Sequence, residues 1–241
     1  MHSIRYRFTL LFIVLCCSLQ LLAGDNDKFL FHSVDPSKQN LQLFWKDDKG
    51  NNFRSLGNLE KWVAKKYPGK ELKFAMNGGM YMEDYRPLGL YTENGVQKKA
   101  INKAKGYGNF YLMPNGIFYI TTNNKAGICE TGKFVNQHIK YATQSGPLLL
   151  IDGKIHPSFT KGSKNVQIRN GVGIMEDGRA LFCMSTVPVN FYEFAEFFKL
   201  SGCKYALFLD GFVCRTYLPE KHWKDVDGDF GVIIGSVENK E

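Results

Sequence analysis

The chain has 241 residues, of which 44% are hydrophobic and 14% aromatic, and its 31 lysines and arginines outnumber 23 acids for a formal net charge of +8. That length is enough for one large domain with a sizeable core or for two small ones. The lysines are scattered, and the densest group (Lys98, Lys99, Lys103, Lys105) lacks the arginine and aromatic interleaving of a nucleic-acid surface, so no nucleic-acid partner is expected.

At the N-terminus, Arg5 and Arg7 precede an apolar run from Phe8 to Leu15 that no acid interrupts. The run is too short to cross a bilayer of about 30 Å as a helix. Ala23 and Gly24 offer a cleavage point before Asp25. Residues 1–24 therefore read as a secretory leader and residues 25–241 as the exported domain, periplasmic or extracellular, without stable membrane insertion after cleavage. A retained leader would tether the same domain with the same topology. Cys16 follows Ile13, Val14 and Leu15, not the small residue that precedes a lipidated cysteine, so simple export ranks above lipidation. No linker, repeat or low-complexity tract divides the remainder.

Along the domain, short apolar and aromatic runs alternate with turn signals. Strands are expected at 29–34, 41–45, 72–76, 88–92, 109–112, 117–121, 148–151, 171–175, 180–185 and 205–209. MPNG at 113–116 and EDG at 176–178 read as hairpin turns between such runs. A first helix is expected from Leu59, capped by Asn58 and stopped by Pro68-Gly69. A second follows Asn190, which has capping-box spacing to Glu193. Phe191, Phe194, Ala195 and Phe198 form its apolar stripe and Gly202 its stop. The fold class is α+β, a single domain with mixed, mostly antiparallel β-sheets and a few packed helices.

Four cysteines lie in the domain (Cys129, Cys183, Cys203, Cys214), at spacings that exclude a CxxC site; disulfides and free buried thiols remain equal alternatives. No histidine and cysteine cluster has zinc spacing, and DVDGD at 225–229 lacks the length and final Glu of a calcium loop and reads as a turn. No metal ligand set or cofactor is assigned, with a divalent cation left open. A Walker loop, a dinucleotide fingerprint and a GxSxG elbow are all missing.

Chemistry concentrates where strands run into glycine-punctuated turns, because the strands behind hold polar groups out to a ligand. FAMNGGMY at 74–81 and LFLDGFVCRTYLP at 207–219 are two such places, making Asn77 and Asp210 the first candidates. Asn77 can bind hydroxyl or phosphate oxygens, and Gly78 and Gly79 would let a ligand approach the backbone. His156 stands on a loop after a strand and could serve as acid or base, although a satisfied structural histidine is the simpler account. Glu83 and Asp84 read as an exposed acidic loop.

In order, NGGMY (77–81), SGPLLLIDGKIHPSF (145–159), RNGVGIMEDGRALFCMS (169–185) and LDGFVCRTYLP (209–219) resemble the phosphodiester glycosidase domain family in its compact bacterial branch. The resemblance covers nearly all of residues 25–241. It implies a single α+β domain and hydrolysis of a sugar 1-phosphodiester at the sugar side. It places Asn77, Gly78 and Gly79 in the early block, Ser145 and Gly146 in the Ser-Gly-Pro block, Arg169 with its neighbour Asn170 in the third, and Asp210 with Gly211 at the start of an Asp-Gly-Gly-Gly-Ser block. There Phe212 and Val213 replace glycines, and Cys214 stands near the serine's place.

Such a reaction builds positive charge at the anomeric carbon and negative charge on the departing phosphate. A carboxylate can act there as nucleophile or as base for water, and Asp210 fits. Arg169 suits the phosphate, since a guanidinium fork holds two oxygens and stays charged. The expected partner is a sugar-phosphate or glycan substrate, with oligomeric state unassigned. A binding module that lost turnover and a phosphodiesterase attacking phosphorus are the competing readings.

Overall fold

The computed structural model describes residues 28–240, so the proposed leader and its boundary lie outside the described residues. In chain order the elements are β1 (Phe29–Val34), β2 (Leu41–Phe44), α1 (Leu56–Lys66), β3 (Lys70–Asn77), β4 (Tyr91–Glu93), β5 (Val96–Lys99), β6 (Gly116–Thr121), β7 (Ala126–Glu130) and β8 (Ile139–Ser145). They continue with β9 (Leu148–Ile151), β10 (Lys154–Ile155), β11 (Asn170–Met175), β12 (Ala180–Ser185), α2 (Phe191–Leu200), β13 (Cys203–Asp210), β14 (Thr216–Leu218), β15 (Trp223–Lys224) and β16 (Ile233–Asn239).

The strands form three sheets, ordered β1-β12-β11-β13-β9-β10, β15-β14-β3-β16-β2 and β5-β4-β8-β6-β7. Their ladders are antiparallel, as in the pairing of β11 with β13 and of β3 with β16. The inner faces enclose one core to which all three contribute, through Phe182 and Leu207 of the first sheet, Phe74 and Ile234 of the second, and Phe118 and Tyr141 of the third. Helix α2 closes the outer face of the first sheet with Phe194 and Phe198 over Ala206 and Phe208. Helix α1 does the same for the second, with Leu59 and Val63 near Ala75 and Ile233. Central strands are thus buried on both faces, which is why β13 reads as a nearly unbroken apolar run.

Helix α2 has the expected limits, its capping box formed by Asn190 and Glu193. Helix α1 starts earlier than its sequence suggested. Ser55, in extended conformation, is the cap and accepts from the Asn58 amide, while Asn58 inside the first turn donates its side chain to the Phe53 carbonyl. Residues 109–112 are not a strand: Asn109–Tyr111 form a single 3-10 turn, pinned by the Asn115 side chain donating to the Phe110 carbonyl. MPNG consequently joins no hairpin, and β6 pairs instead with β7 and β8. EDG does turn the β11–β12 hairpin, with Gly178 at φ +87. Cys129, Cys183, Cys203 and Cys214 are all free thiols.

Candidate active site

The three sheets meet at the end of β13. Asp210 is its last residue, Asn77 ends β3, Ser145 ends β8 and Asn170 opens β11. Asp210 is 5% exposed, and the other three are buried. The Asp210 carboxylate accepts the Gly211 amide (2.7 Å) and the Phe212 amide (3.0 Å) on Oδ1, and the Asn77 side-chain amide (3.1 Å) on Oδ2.

Two backbone amides fix how both asparagines point, because a main-chain N–H can only donate. The Asp210 amide donates to Asn170 Oδ1 (2.8 Å), so Asn170 Nδ2 faces Asn77, donating to its side-chain oxygen (2.8 Å) and its carbonyl (2.9 Å). The Arg215 amide also donates to Asn77 Oδ1 (3.1 Å), which leaves Asn77 Nδ2 free for the carboxylate. The Ser145 hydroxyl donates to the Leu209 carbonyl (2.7 Å) and ties the third sheet to the strand that carries Asp210.

Burial raises the Asp210 pKa to about 6, outweighing the Phe212, Gly211 and Asn77 hydrogen bonds that pull it down. The group is therefore mostly ionised at neutral pH yet remains a usable base. Gly78 and Gly79 let β3 leave this junction. A Cβ on Gly78 would lie 2.5 Å from Ile234 Cγ1, and one on Gly79, at φ +157, would lie 2.6 Å from Thr143 Oγ1 of β8. Gly78 makes room for β16 of its own sheet, and Gly79 for the close approach of the third sheet. Gly146 is likewise packed against Asn115.

Arg169 does not form an ion pair with Asp210. Its guanidinium stacks on Phe191 (3.7 Å to the ring centroid) and lies 5.7 Å from the Phe208 centroid, on the side facing α2. Nε donates to the Val189 carbonyl (2.8 Å) and Nη2 to the Asn165 carbonyl (3.0 Å), and the residue is 1% exposed. No carboxylate pairs with it, and Nη1 has no protein acceptor among the described residues. Burial lowers its pKa to about 10, which still leaves it charged at neutral pH. Cys214 Sγ lies 3.5 Å from the Asp210 and Ile168 carbonyls and senses the charges of Asp210, Arg169 and Arg215; burial drives its thiol pKa far up, so it is no thiolate nucleophile.

His156 makes no contact with Asp210 and stands at the far end of a ring stack that runs through Phe159 (4.7 Å) and Phe191 (4.8 Å) to the Arg169 guanidinium. Its Nδ1 accepts the Ser158 amide (3.2 Å), so Nε2 carries the proton and donates to the Met113 carbonyl (3.0 Å), while the ring stacks on Phe159. Both nitrogens are occupied and burial lowers its pKa, the environment of a structural histidine. Asp84 pairs with Arg86 in an exposed loop.

Several residues at the site went unremarked in the sequence reading. Tyr81 donates to the Asp229 carbonyl (2.6 Å), and burial, with the Asp210 charge behind it, raises its pKa to about 12. Arg215 makes a two-pronged pair with Asp227 (2.7 and 2.8 Å), while Asp225 accepts the Thr216 amide and Asp229 pairs with Arg54. Asp225 and Asp227 thus brace the segment after Asp210, while Asp229 ties down Arg54 and Tyr85. The FVCRT stretch held the one available signal, an arginine five residues after a strand-end aspartate with acids close behind. A depression of about 330 Å³, lined by residues including Phe31, His32, Arg179 and Lys221, lies toward the far, hairpin end of β11.

The fold is thus an antiparallel three-sheet α+β domain in which Asp210, the one buried carboxylate among the described residues, is set between carboxamides at the sheet junction. A family model described as phosphodiester glycosidase matches residues 70–229, a span that takes in Asn77, Ser145, Arg169, Asn170 and Asp210, and the chain belongs to that family. It is 38% identical over 189 residues to the uncharacterized protein YigE of Escherichia coli strain K12, a match covering 78% of this chain and 73% of that protein. Among solved structures, it is similar to the catalytic domain of zebrafish N-acetylglucosamine-1-phosphodiester alpha-N-acetylglucosaminidase, auto-inhibited by its pro-peptide. That match has a TM-score of 0.58 and 13% identity, over 88% of this chain and 82% of the other. It is also similar to a putative exported protein of Burkholderia pseudomallei K96243, with a TM-score of 0.53 and 10% identity, over 86% of this chain and 73% of the other. At these identities the structural likeness is one of fold. No helix among the described residues is long and apolar enough to cross a membrane.

Proposed function

We propose that the protein is an exported glycoside hydrolase that cleaves a sugar 1-phosphodiester on the sugar side, with Asp210 as the carboxylate at the anomeric carbon. The observation that carries this reading is the seat of Asp210. Burial raises its basicity, three donors hold it in one orientation, and it lies at a strand end within the span matched by the family. As nucleophile, an Asp210 oxygen bonds to C1; as base, it takes a proton from the water that bonds there. In either course the C1–O bond breaks and its electron pair leaves with the phosphate monoester, a leaving group that needs little protonation.

Asn77 and Asn170 act as positioning residues, and Ser145 locks the strand behind them. Arg169 supplies positive charge on the phosphate side. A buried guanidinium without a carboxylate is electrostatically costly, and an anionic ligand would offset that cost. Export is supported by the charged and apolar pattern of residues 1–24, and the similar Burkholderia structure is described as a putative exported protein.

The test is turnover of a panel of α- and β-linked sugar 1-(methyl phosphates) in heavy-oxygen water. Label should enter the sugar, and Asp210→Asn should lower kcat by about a thousandfold or more with the fold intact. Label in the phosphate would establish attack at phosphorus instead, and full activity in the variant would remove Asp210 from the chemistry. A second reading, a phosphosugar or envelope-glycan binding module, is favoured by Phe212 and Val213 in place of glycines; saturable binding of the panel without release of sugar would select it.

A further inference from the structure

Phe212 is 93% exposed although every residue around it is anchored. Its own amide and that of Gly211 are held by Asp210 Oδ1, and Gly211 has no room for a side chain, since a Cβ there would lie 2.7 Å from Phe208 Cζ. Val213 packs into the apolar cluster under α1, and Cys214 is buried. The backbone is thus fixed on both sides, and the phenyl ring alone projects. With its amide 3.0 Å from the carboxylate, the ring stands within about 8 Å of Asp210, roughly one pyranose ring away.

We infer that Phe212 is the platform on which the sugar ring of the substrate stacks, and that it selects pyranoses presenting a C–H face. This rests on the glycosidase reading of Asp210. The face of a phenyl ring carries negative quadrupole charge, which attracts polarised C–H groups and repels an anion. The phosphate is therefore steered away from Phe212, and the ring serves the sugar side of the scissile bond. A pyranose with equatorial hydroxyls offers such a face, whereas a flat anionic or purely phosphate ligand does not. Glycine in this place would leave the sugar without a wall on that side, so the replacement adds a contact instead of merely removing flexibility.

The experiment compares wild type, Phe212→Ala and Phe212→Tyr on α-D-glucose 1-(methyl phosphate) and N-acetyl-α-D-glucosamine 1-(methyl phosphate). The alanine variant should raise KM roughly tenfold with kcat within twofold, and tyrosine should restore KM. An unchanged KM in Phe212→Ala, as expected if the ring instead docks a protein or lipid, overturns the inference. In parallel, Phe212→Trp is titrated with the same two compounds and with dimethyl phosphate, and its emission is read against the wild-type tryptophans. A change with the sugar compounds and none with dimethyl phosphate supports the platform even if nothing is turned over, in which case the hydrolase reading fails and the platform stands. No change with either sugar compound overturns the platform, whatever Asp210 does.

Discussion

At the scale of single residues, the balance at Asp210 sets a pH dependence. In its proposed role as nucleophile or base the working form is the carboxylate, so kcat/KM should climb as pH rises through about 6 and level off above it. Asn77→Asp makes the balance visible. The new side chain keeps an oxygen for the Asn170 and Arg215 donors but turns a second oxygen, instead of an amide, on Asp210. Like charges that close oppose joint ionisation, so the acidic limb should move up by a unit or more and activity at neutral pH should fall at least tenfold. A pH profile of the variant superimposable on wild type would mean that Asn77 does not govern the carboxylate. Asp210 and Asn77 were legible in sequence as polar residues at the ends of apolar runs. The bond from the Arg215 backbone amide to Asn77 was not, since a main-chain amide that orients an asparagine leaves no trace in residue type.

At the scale of elements, the same reasoning explains which parts were readable. Both helices announce themselves through 3.6-residue apolar spacing, and the α2 box is spelled out by Asn190 and Glu193. Strand β8 hides because Thr143, Gln144 and Ser145 are buried polar residues. Gln144 accepts the Leu90 and Asn102 amides and donates to the Asn102 carbonyl, satisfying by hydrogen bonds what an apolar residue would by packing. Strand β16 hides for a related reason: Gly235 and Ser236 interrupt its alternation, although it lies between β2 and β3. The strand read at 109–112 was the opposite error, aromatic residues giving a strand-like run to a turn. Where α2 crosses β11, Gly173 provides clearance, since a Cβ there would stand 2.7 Å from both Phe198 Cδ1 and Cys203 Sγ. Gly173→Ala should accordingly cost about 1–3 kcal/mol in denaturant unfolding, whereas a change within 0.5 kcal/mol would mean that the helix can ride outward freely.

At the scale of the whole molecule, sequence anticipated one α+β domain but not that three sheets would share a single core, because the ladder partners lie far apart in the chain. The Asn77 to Asp210 contact spans 133 positions and the Asn170 to Asn77 contacts 93. Local pieces such as the β11–β12 hairpin close short loops, whereas these ties require long ones. Competence for catalysis should therefore be the last property regained after dilution from denaturant. Tryptophan fluorescence should recover ahead of the ability to release sugar, and simultaneous recovery of the two would refute that order. On the proposed reading, a nascent chain would carry no working carboxylate until its final strands had found their places, which keeps an enzyme of this construction silent until it has finished folding.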